Sequence, residues 1–164
     1  MSRMSMHAAA ALVAVIAAGP GTVGAEPMTE ARAADTVAIQ QLIVKYAHVY
    51  DSLDVEGYVS VFTEDAKFTF TGNELNGRDE IREFITGAKQ RRESAPPTDS
   101  KSYHSISNTR IQFDSDDVAR HRSYWQVLSC ATGTPCVVSS MGYYDDVVVK
   151  QNGEWLIQSR NIPQ

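Results

Sequence analysis

Four long strand-like segments fill the last third of this 164-residue sequence. Turn-forming residues separate them, and they cover residues 102–113, 118–130, 136–150 and 155–161. The last turn contains Asn152-Gly153, a pair that favours the tight hairpin between two antiparallel strands. Strands of this length twist and bend. The sequence therefore predicts a long antiparallel meander that curves around another element.

A helix near the N-terminus can fill the concave side of that sheet. In residues 35–50, apolar side chains recur at helical spacing and form one stripe. A second short helix is predicted after Asp54, a strand at 66–71 and a third helix at 78–90. This order of elements is typical of an α+β domain. We expect a cone-shaped α+β barrel, with a strongly curved mixed sheet wrapped around the N-terminal helix, spanning residues 35–164.

The first 25 residues have the pattern of a targeting signal. Arg3 precedes an unbroken apolar run at 8–18, and residues 23–25 are the small residues that a signal peptidase requires. The run is shorter than the roughly 20 residues of a spanning helix, so a membrane anchor is the weaker alternative. We expect a secretory signal cleaved after residue 25, a flexible leader at 26–34, and a periplasmic or secreted protein without membrane contact after cleavage.

The charge of the chain argues against a nucleic-acid partner. The sequence has 15 Lys and Arg against 20 Asp and Glu, and Arg3 is the only charged residue that signal cleavage removes, which leaves a formal charge of −6. An acidic surface repels phosphate backbones. The one basic run, at 89–92, is too short to form a basic stripe. We expect a small molecule as the partner instead.

Two cysteines flank a turn between two of the predicted strands. Cys130 and Cys136 are six residues apart, and the residues between them are turn formers. In an oxidising compartment they can join the two strands as a disulfide, and two reduced thiols are the alternative. The spacing does not match a zinc site, because no second pair of His or Cys accompanies it.

Four residues form the candidate catalytic group. Tyr46 and Tyr50 lie four apart on the first helix, so their phenols project from one face. Asp51 follows where that helix ends, and His104 lies on the first long strand, which we expect to face the helix. A neutral imidazole next to a carboxylate can act as a general base. Two phenols can stabilise the oxygen on which negative charge develops.

Each of these residues also has a purely structural explanation. Tyr46 and Tyr50 fall on the core stripe, Asp51 fits a helix end, and a buried histidine is often only packed. His121 is a second candidate, because strand alternation also places it on the inner side of the sheet. We rank it below His104, since neither residue beside it in the sequence is a carboxylate.

Other residues are predicted to bind the ligand or form the pocket wall. Asn108 shares the side of His104 by strand alternation, and Phe70, Trp125 and Tyr144 supply aromatic walls. The sequence has no metal-ligand motif and no glycine-rich phosphate loop, so no metal and no cofactor is predicted.

Several separated segments resemble one known family. The run IVKYAHVYDSLD at 43–54, followed by YVSVFTEDA at 58–66, resembles the opening of the SnoaL-like branch of the nuclear transport factor 2-like superfamily. The segments GRDEI at 77–81 and NGEWLI at 152–157 continue the resemblance, which spans about 35–160. It implies the cone fold, one buried ligand pocket and association as a homodimer or homotrimer.

The resemblance favours a dehydratase among the activities of the superfamily. Tyr50, Asp51 and His104 resemble active-site residues of scytalone dehydratase, and Tyr46, Asp51 and His104 resemble those of bile-acid 7α-dehydratase. Phe70 stands where ketosteroid isomerase has its catalytic aspartate. We expect a cofactor-independent lyase that dehydrates a small cyclic, polyketide-like or steroid-like hydroxy-carbonyl compound. The alternatives are an isomerase or cyclase with the same pocket, and a non-catalytic periplasmic binding protein for a small apolar ligand.

Overall fold

A computed structural model describes residues 28–163. The predicted signal at 1–25 lies outside the described residues. The helices and strands, in chain order, are α1 (Glu30–Ser52), α2 (Val55–Ser60), β1 (Phe62–Phe70), β2 (Asn73–Asn76), α3 (Gly77–Ser94), β3 (Lys101–Phe113), β4 (Val118–Cys130), β5 (Val137–Gln151) and β6 (Glu154–Ile162).

The strands form one six-stranded sheet in the order β2-β1-β6-β5-β4-β3. The β1–β6 pair is parallel and the other neighbours are antiparallel, so the sheet is mixed. Helix α1 packs against β3 and β6, and α3 packs against β1. The α+β fold with a curved mixed sheet around the N-terminal helix is confirmed, although the sheet stays open between β2 and β3.

Helix α1 begins five residues before its predicted start, so the prediction of a flexible leader at 26–34 is wrong for residues 30–34. The Thr29 hydroxyl caps the helix by accepting the backbone N–H of Arg32 at 3.2 Å. Arg32 also pairs with Asp116 at 2.9 Å. The cap and the ion pair fix a turn that the hydrophobic stripe does not reach.

The end of α1 is set by a sharp break. Leu53 adopts a left-handed conformation with φ 54°, and its backbone N–H bonds the Tyr50 carbonyl. Asp54 then caps α2 by accepting the N–H of Gly57 at 3.0 Å. A Cβ at Gly57 would lie 2.3 Å from the Asp54 carboxylate, so a larger residue here would displace this cap. The break fixes Asp51 at the end of α1, beside β3.

Three other differences from the predicted elements are found. Strand β1 begins at Phe62 rather than 66, because a register shift between Phe62 and Lys67 breaks the alternation that marks a strand. Residues 73–76, which lie between the predicted strand at 66–71 and the predicted helix at 78–90, form the short strand β2 on β1. Helix α3 also runs to Ser94, past its predicted end at 90.

The predicted disulfide is present. Cys130 ends β4, Cys136 precedes β5, and their sulfurs are bonded across the turn between these strands. Residues 28–163 include no helix that is both long and apolar enough to cross a membrane.

Candidate active site

A cavity of about 410 Å³ lies between α1, α3 and the sheet. The four predicted catalytic residues, Tyr46, Tyr50, Asp51 and His104, all line it. Helix α1 supplies the first three and β3 supplies the histidine. The helical spacing and the strand position therefore bring together residues that are more than fifty positions apart in the sequence.

His104 and Asp51 form a close pair. The His104 Nδ1 lies 2.6 Å from one carboxylate oxygen of Asp51, and the other oxygen accepts the backbone N–H of His104 at 2.9 Å. A carboxylate only accepts, so the neutral imidazole carries its proton on Nδ1. The Nε2 atom, without a hydrogen-bond partner among residues 28–163, is then an unprotonated acceptor beside the cavity. This is the arrangement of an oriented general base.

The phenols complete the polar part of the cavity. The Tyr50 ring stands edge-on to the His104 ring, with 5.0 Å between centroids, and burial raises the pKa of Tyr50, which keeps its proton available. The Tyr46 hydroxyl accepts a hydrogen bond from Tyr58 at 3.1 Å. Because Tyr58 is the donor, the proton of Tyr46 is left for a ligand.

Aromatic side chains form the walls. Phe70, Trp125 and Tyr144 line the cavity as predicted, and the last two stack with 6.0 Å between centroids. Trp125 lies flat against Gly142 on the neighbouring strand. A Cβ at Gly142 would lie 2.8 Å from the indole, so the glycine makes room for this wall.

The prediction for Asn108 is wrong. Between Ser107 and Arg110, β3 advances three residues while β4 advances two, from Tyr124 to Arg122. This bulge reverses the alternation, and Asn108 has a φ of 52° and an exposed side chain that does not line the cavity. Strand alternation alone cannot predict a bulge.

A second histidine-carboxylate pair lies beneath the cavity. His121 Nδ1 is 2.8 Å from Asp146, and Arg160 donates to both oxygens of Asp146, at 2.8 and 2.7 Å. All three side chains are fully buried. The Arg160 guanidinium also lies over the faces of both Tyr46 and Tyr144, 3.9 Å from each ring centroid. Arg160 therefore connects the buried pair to two cavity residues.

The opposite charges of Asp146 and Arg160 stabilise each other in this buried group. Burial acts to raise the pKa of Asp146, but the charge and hydrogen bonds of Arg160 and the hydrogen bond from His121 outweigh it and hold that pKa below its ordinary value. Burial acts against the cation of Arg160, yet Asp146 raises the pKa of Arg160 above its ordinary value. The ion pair therefore stays charged at neutral pH.

The family model of the SnoaL-like domain matches residues 31–161. The chain belongs to the SnoaL-like family. This confirms the resemblance found in the segments at 43–54 and 152–157. A search of curated proteins finds no match.

Solved structures share the fold of this SnoaL-like domain. A protein of unknown function from Mycobacterium tuberculosis matches with a TM-score of 0.70 and 28% identity, over 85% of this chain and 77% of that one. A candidate scytalone dehydratase from Novosphingobium aromaticivorans matches with a TM-score of 0.68 and 25% identity, over 82% of this chain and 87% of that one. A protein of unknown function with a cystatin-like fold, from Nostoc punctiforme, matches with a TM-score of 0.64 and 24% identity, over 79% of this chain and 90% of that one.

The SnoaL-like domain contains functional candidates that sequence reasoning missed: Tyr58, Asp146 and Arg160. His121 was expected to face inward, and it does, but its carboxylate comes from the neighbouring strand. Asp146 lies opposite both His121 and Arg160 in the sheet register, so only the register of β4, β5 and β6 brings the three together. Within residues 28–163, no three His, Cys, Asp or Glu side chains are grouped to hold a metal ion.

Proposed function

We propose that this protein is a cofactor-independent dehydratase for a small cyclic hydroxy-carbonyl compound. The observation that carries the proposal is the His104–Asp51 pair, which presents an unprotonated imidazole nitrogen beside an aromatic cavity. The match to a candidate scytalone dehydratase supports it.

The proposed reaction is an elimination of water. His104 Nε2 takes a proton from the carbon next to the substrate carbonyl, and Asp51 stabilises the imidazolium that forms. The phenols of Tyr46 and Tyr50 donate to the carbonyl oxygen while it carries the enolate charge. The imidazolium then gives its proton to the hydroxyl group, the carbon–oxygen bond breaks, a carbon–carbon double bond forms and water leaves.

Mass spectrometry of a panel of cyclic β-hydroxy ketones tests the proposal. We expect the purified protein to convert at least one of them to a product lighter by one water, and the His104→Gln protein to convert none. Equal conversion by both proteins would contradict the assignment of His104. An isomerase with the same residues would give a product of unchanged mass.

A binding protein without catalysis is the second candidate, and the aromatic cavity favours it. Phe68, Phe70, Phe84 and Trp125 all line the cavity and suit an apolar ring. In that case a cyclic ligand would bind without chemical change, and His104→Gln would only weaken its binding.

We also propose that the protein is exported, because residues 1–25 have the pattern of a cleaved signal and the Cys130–Cys136 disulfide suits an oxidising compartment. Fractionation of the source cells, with N-terminal sequencing of the recovered protein, tests this. A mature protein that begins at residue 26 in the periplasm or medium is expected, and a cytoplasmic protein that retains Met1 would contradict it.

A homodimer or homotrimer is proposed as the assembled form. Large apolar side chains on β4 and β5 are exposed, with Tyr124 at 52% and Met141 at 68%. Exposed apolar area of this kind is common at interfaces. Light scattering coupled to size-exclusion chromatography measures the mass directly, and a monomer at all concentrations would contradict the proposal.

A further inference from the structure

We propose that the natural ligand carries a carboxylate, which Arg92, with Arg91 and Lys101, binds at the mouth of the cavity while its ring lies inside. The inference deepens the proposed function and uses the same cavity. It names the substrate class as a cyclic compound with one carboxylate.

Arg92 lies at the boundary between two connected spaces. It lines the aromatic cavity, and it also lines an adjoining groove of about 740 Å³ formed by the end of α3, the 95–100 loop and the start of β3. Asp51 and Ser102 line both spaces as well. A ligand that occupies the cavity and extends into the groove therefore passes beside Arg92.

The position of Arg92 is fixed relative to the candidate base. Its Nη1 atom donates to the backbone carbonyl of Asp51 at 3.1 Å. The remaining donors of the guanidinium have no protein hydrogen-bond partner within residues 28–163. The Asp51 carboxylate accepts from His104 and makes no hydrogen bond to Arg92.

The cations at the mouth have no ionic partner in the part of the chain that the structure describes. Elsewhere in the described residues, six arginines form ion pairs with carboxylates: Arg32, Arg78, Arg82, Arg120, Arg122 and Arg160. Within 28–163, no carboxylate pairs with Arg91, Arg92 or Lys101. The loop carboxylate of Asp99 accepts the backbone N–H of Thr132 instead. An acidic chain with a formal charge of −5 thus keeps three unpaired cations around its candidate active site.

A carboxylate suits this mouth better than a phosphate. Guanidinium groups bind carboxylates through charge-assisted hydrogen bonds in a planar geometry. Arg91 and Arg92 lie in the last turn of α3, where the partial negative charge of the helix end offsets part of their positive charge. The site therefore favours a monoanion. The carboxylate would hold the ring in one orientation, with one carbon facing His104.

Equilibrium binding of matched naphthalene probes tests this without any need for turnover. Isothermal titration calorimetry would report binding of 2-naphthoate, its neutral methyl ester and 2-naphthyl phosphate. We expect 2-naphthoate to bind about tenfold more tightly than the ester and at least as tightly as the phosphate. Added salt should weaken only the binding of the charged probes.

The Arg92→Gln protein is expected to lose most of the preference for 2-naphthoate over the ester, while its affinity for the ester stays the same. Both oxygens of the Asp51 carboxylate bind His104 and do not depend on Arg92. Arg110→Gln is the matched control, because Arg110 is also an unpaired arginine of the described residues but lies away from the cavity. It should keep the full preference.

The proposal would be overturned by equal affinities for 2-naphthoate and its ester, or by a preference for 2-naphthoate that survives Arg92→Gln. Tighter binding of 2-naphthyl phosphate than of 2-naphthoate would also overturn it. Failure of all three probes to bind would overturn it too, because the ring would then not fit the cavity. None of these results depends on His104, so the dehydratase proposal would be tested separately by its own product analysis.

Discussion

The molecule contains two histidine-aspartate pairs with almost the same nitrogen-to-oxygen distance, 2.6 Å for His104–Asp51 and 2.8 Å for His121–Asp146. In the first pair, the side chains are 13% and 19% exposed and line the cavity. In the second pair both are fully buried, and Arg160 also binds the carboxylate.

A close His–Asp contact does not by itself place an imidazole where it can reach a ligand. The charge of Asp146 is already balanced by Arg160, and the His121 side chain does not line the cavity. The Asp51 carboxylate is bound only by His104 among the side chains of residues 28–163 and is free to stabilise an imidazolium. We therefore propose a catalytic role for the first pair and structural support for the second.

The largest effect on stability is expected when the buried Asp146–Arg160 ion pair is broken. Asp146→Asn removes the charge that balances Arg160 and should lower the free energy of unfolding by about 3–5 kcal/mol. Urea denaturation measures it. The control is Asp145→Asn, whose carboxylate pairs with the half-exposed Arg122, and about 1 kcal/mol or less is expected there. Equal losses in the two variants would contradict the assignment of Asp146.

Removing each histidine tests the comparison directly. His104→Ala should reduce turnover of the identified substrate by about 10²-fold or more, since positioned proton transfer contributes at least that much, with little change in melting temperature. His121→Ala should do the opposite, with a lower melting temperature and a turnover per folded molecule close to that of the wild type. If His121→Ala abolishes turnover while the protein stays folded, the roles assigned to the two pairs are wrong.

A smaller effect is expected at the wall of the cavity. Gly142→Ala should push Trp125 into the cavity and weaken 2-naphthoate binding several-fold, at a stability cost of about 1–3 kcal/mol from overpacking. In a Trp125→Phe background the clashing indole atoms are absent, so the same substitution should change the affinity much less. Equal effects in both backgrounds would show that Gly142 does not act through Trp125.

The smallest expected effect is a change in how the free energy of unfolding depends on pH, and it is confined to acid pH. The folded protein holds the pKa of Asp146 below its ordinary value, near 4 in unfolded chains. This group therefore stabilises the fold fully above that value and loses its contribution as the pH falls through the lower folded pKa. Unfolding free energies measured from pH 7 to pH 3 should fall less steeply in Asp146→Asn than in wild type, and Asp145→Asn should keep the wild-type slope.

The sequence predicted the accessible pair and missed the buried one for a physical reason. Tyr46, Tyr50 and Asp51 follow helical spacing, and His104 lies early on its strand, before the bulge that displaces Asn108. Asp146 and Arg160, which complete the buried group around His121, come from two other strands, and the register between strands cannot be inferred from the sequence. Chain-local patterns thus predicted the fold and most of the cavity, whereas a bulge and a cross-strand network required coordinates.

Among the described residues, strand β3 is an edge of the sheet and pairs only with β4. The backbone N–H of His104 is held on its free side by Asp51 at 2.9 Å, so the carboxylate that orients the ring also fastens this edge to α1. Local opening of the edge would separate base and carboxylate while the other strands stay paired. Activity is therefore expected to be lost at lower denaturant concentration than the fold, and amide exchange at His104 should follow the activity.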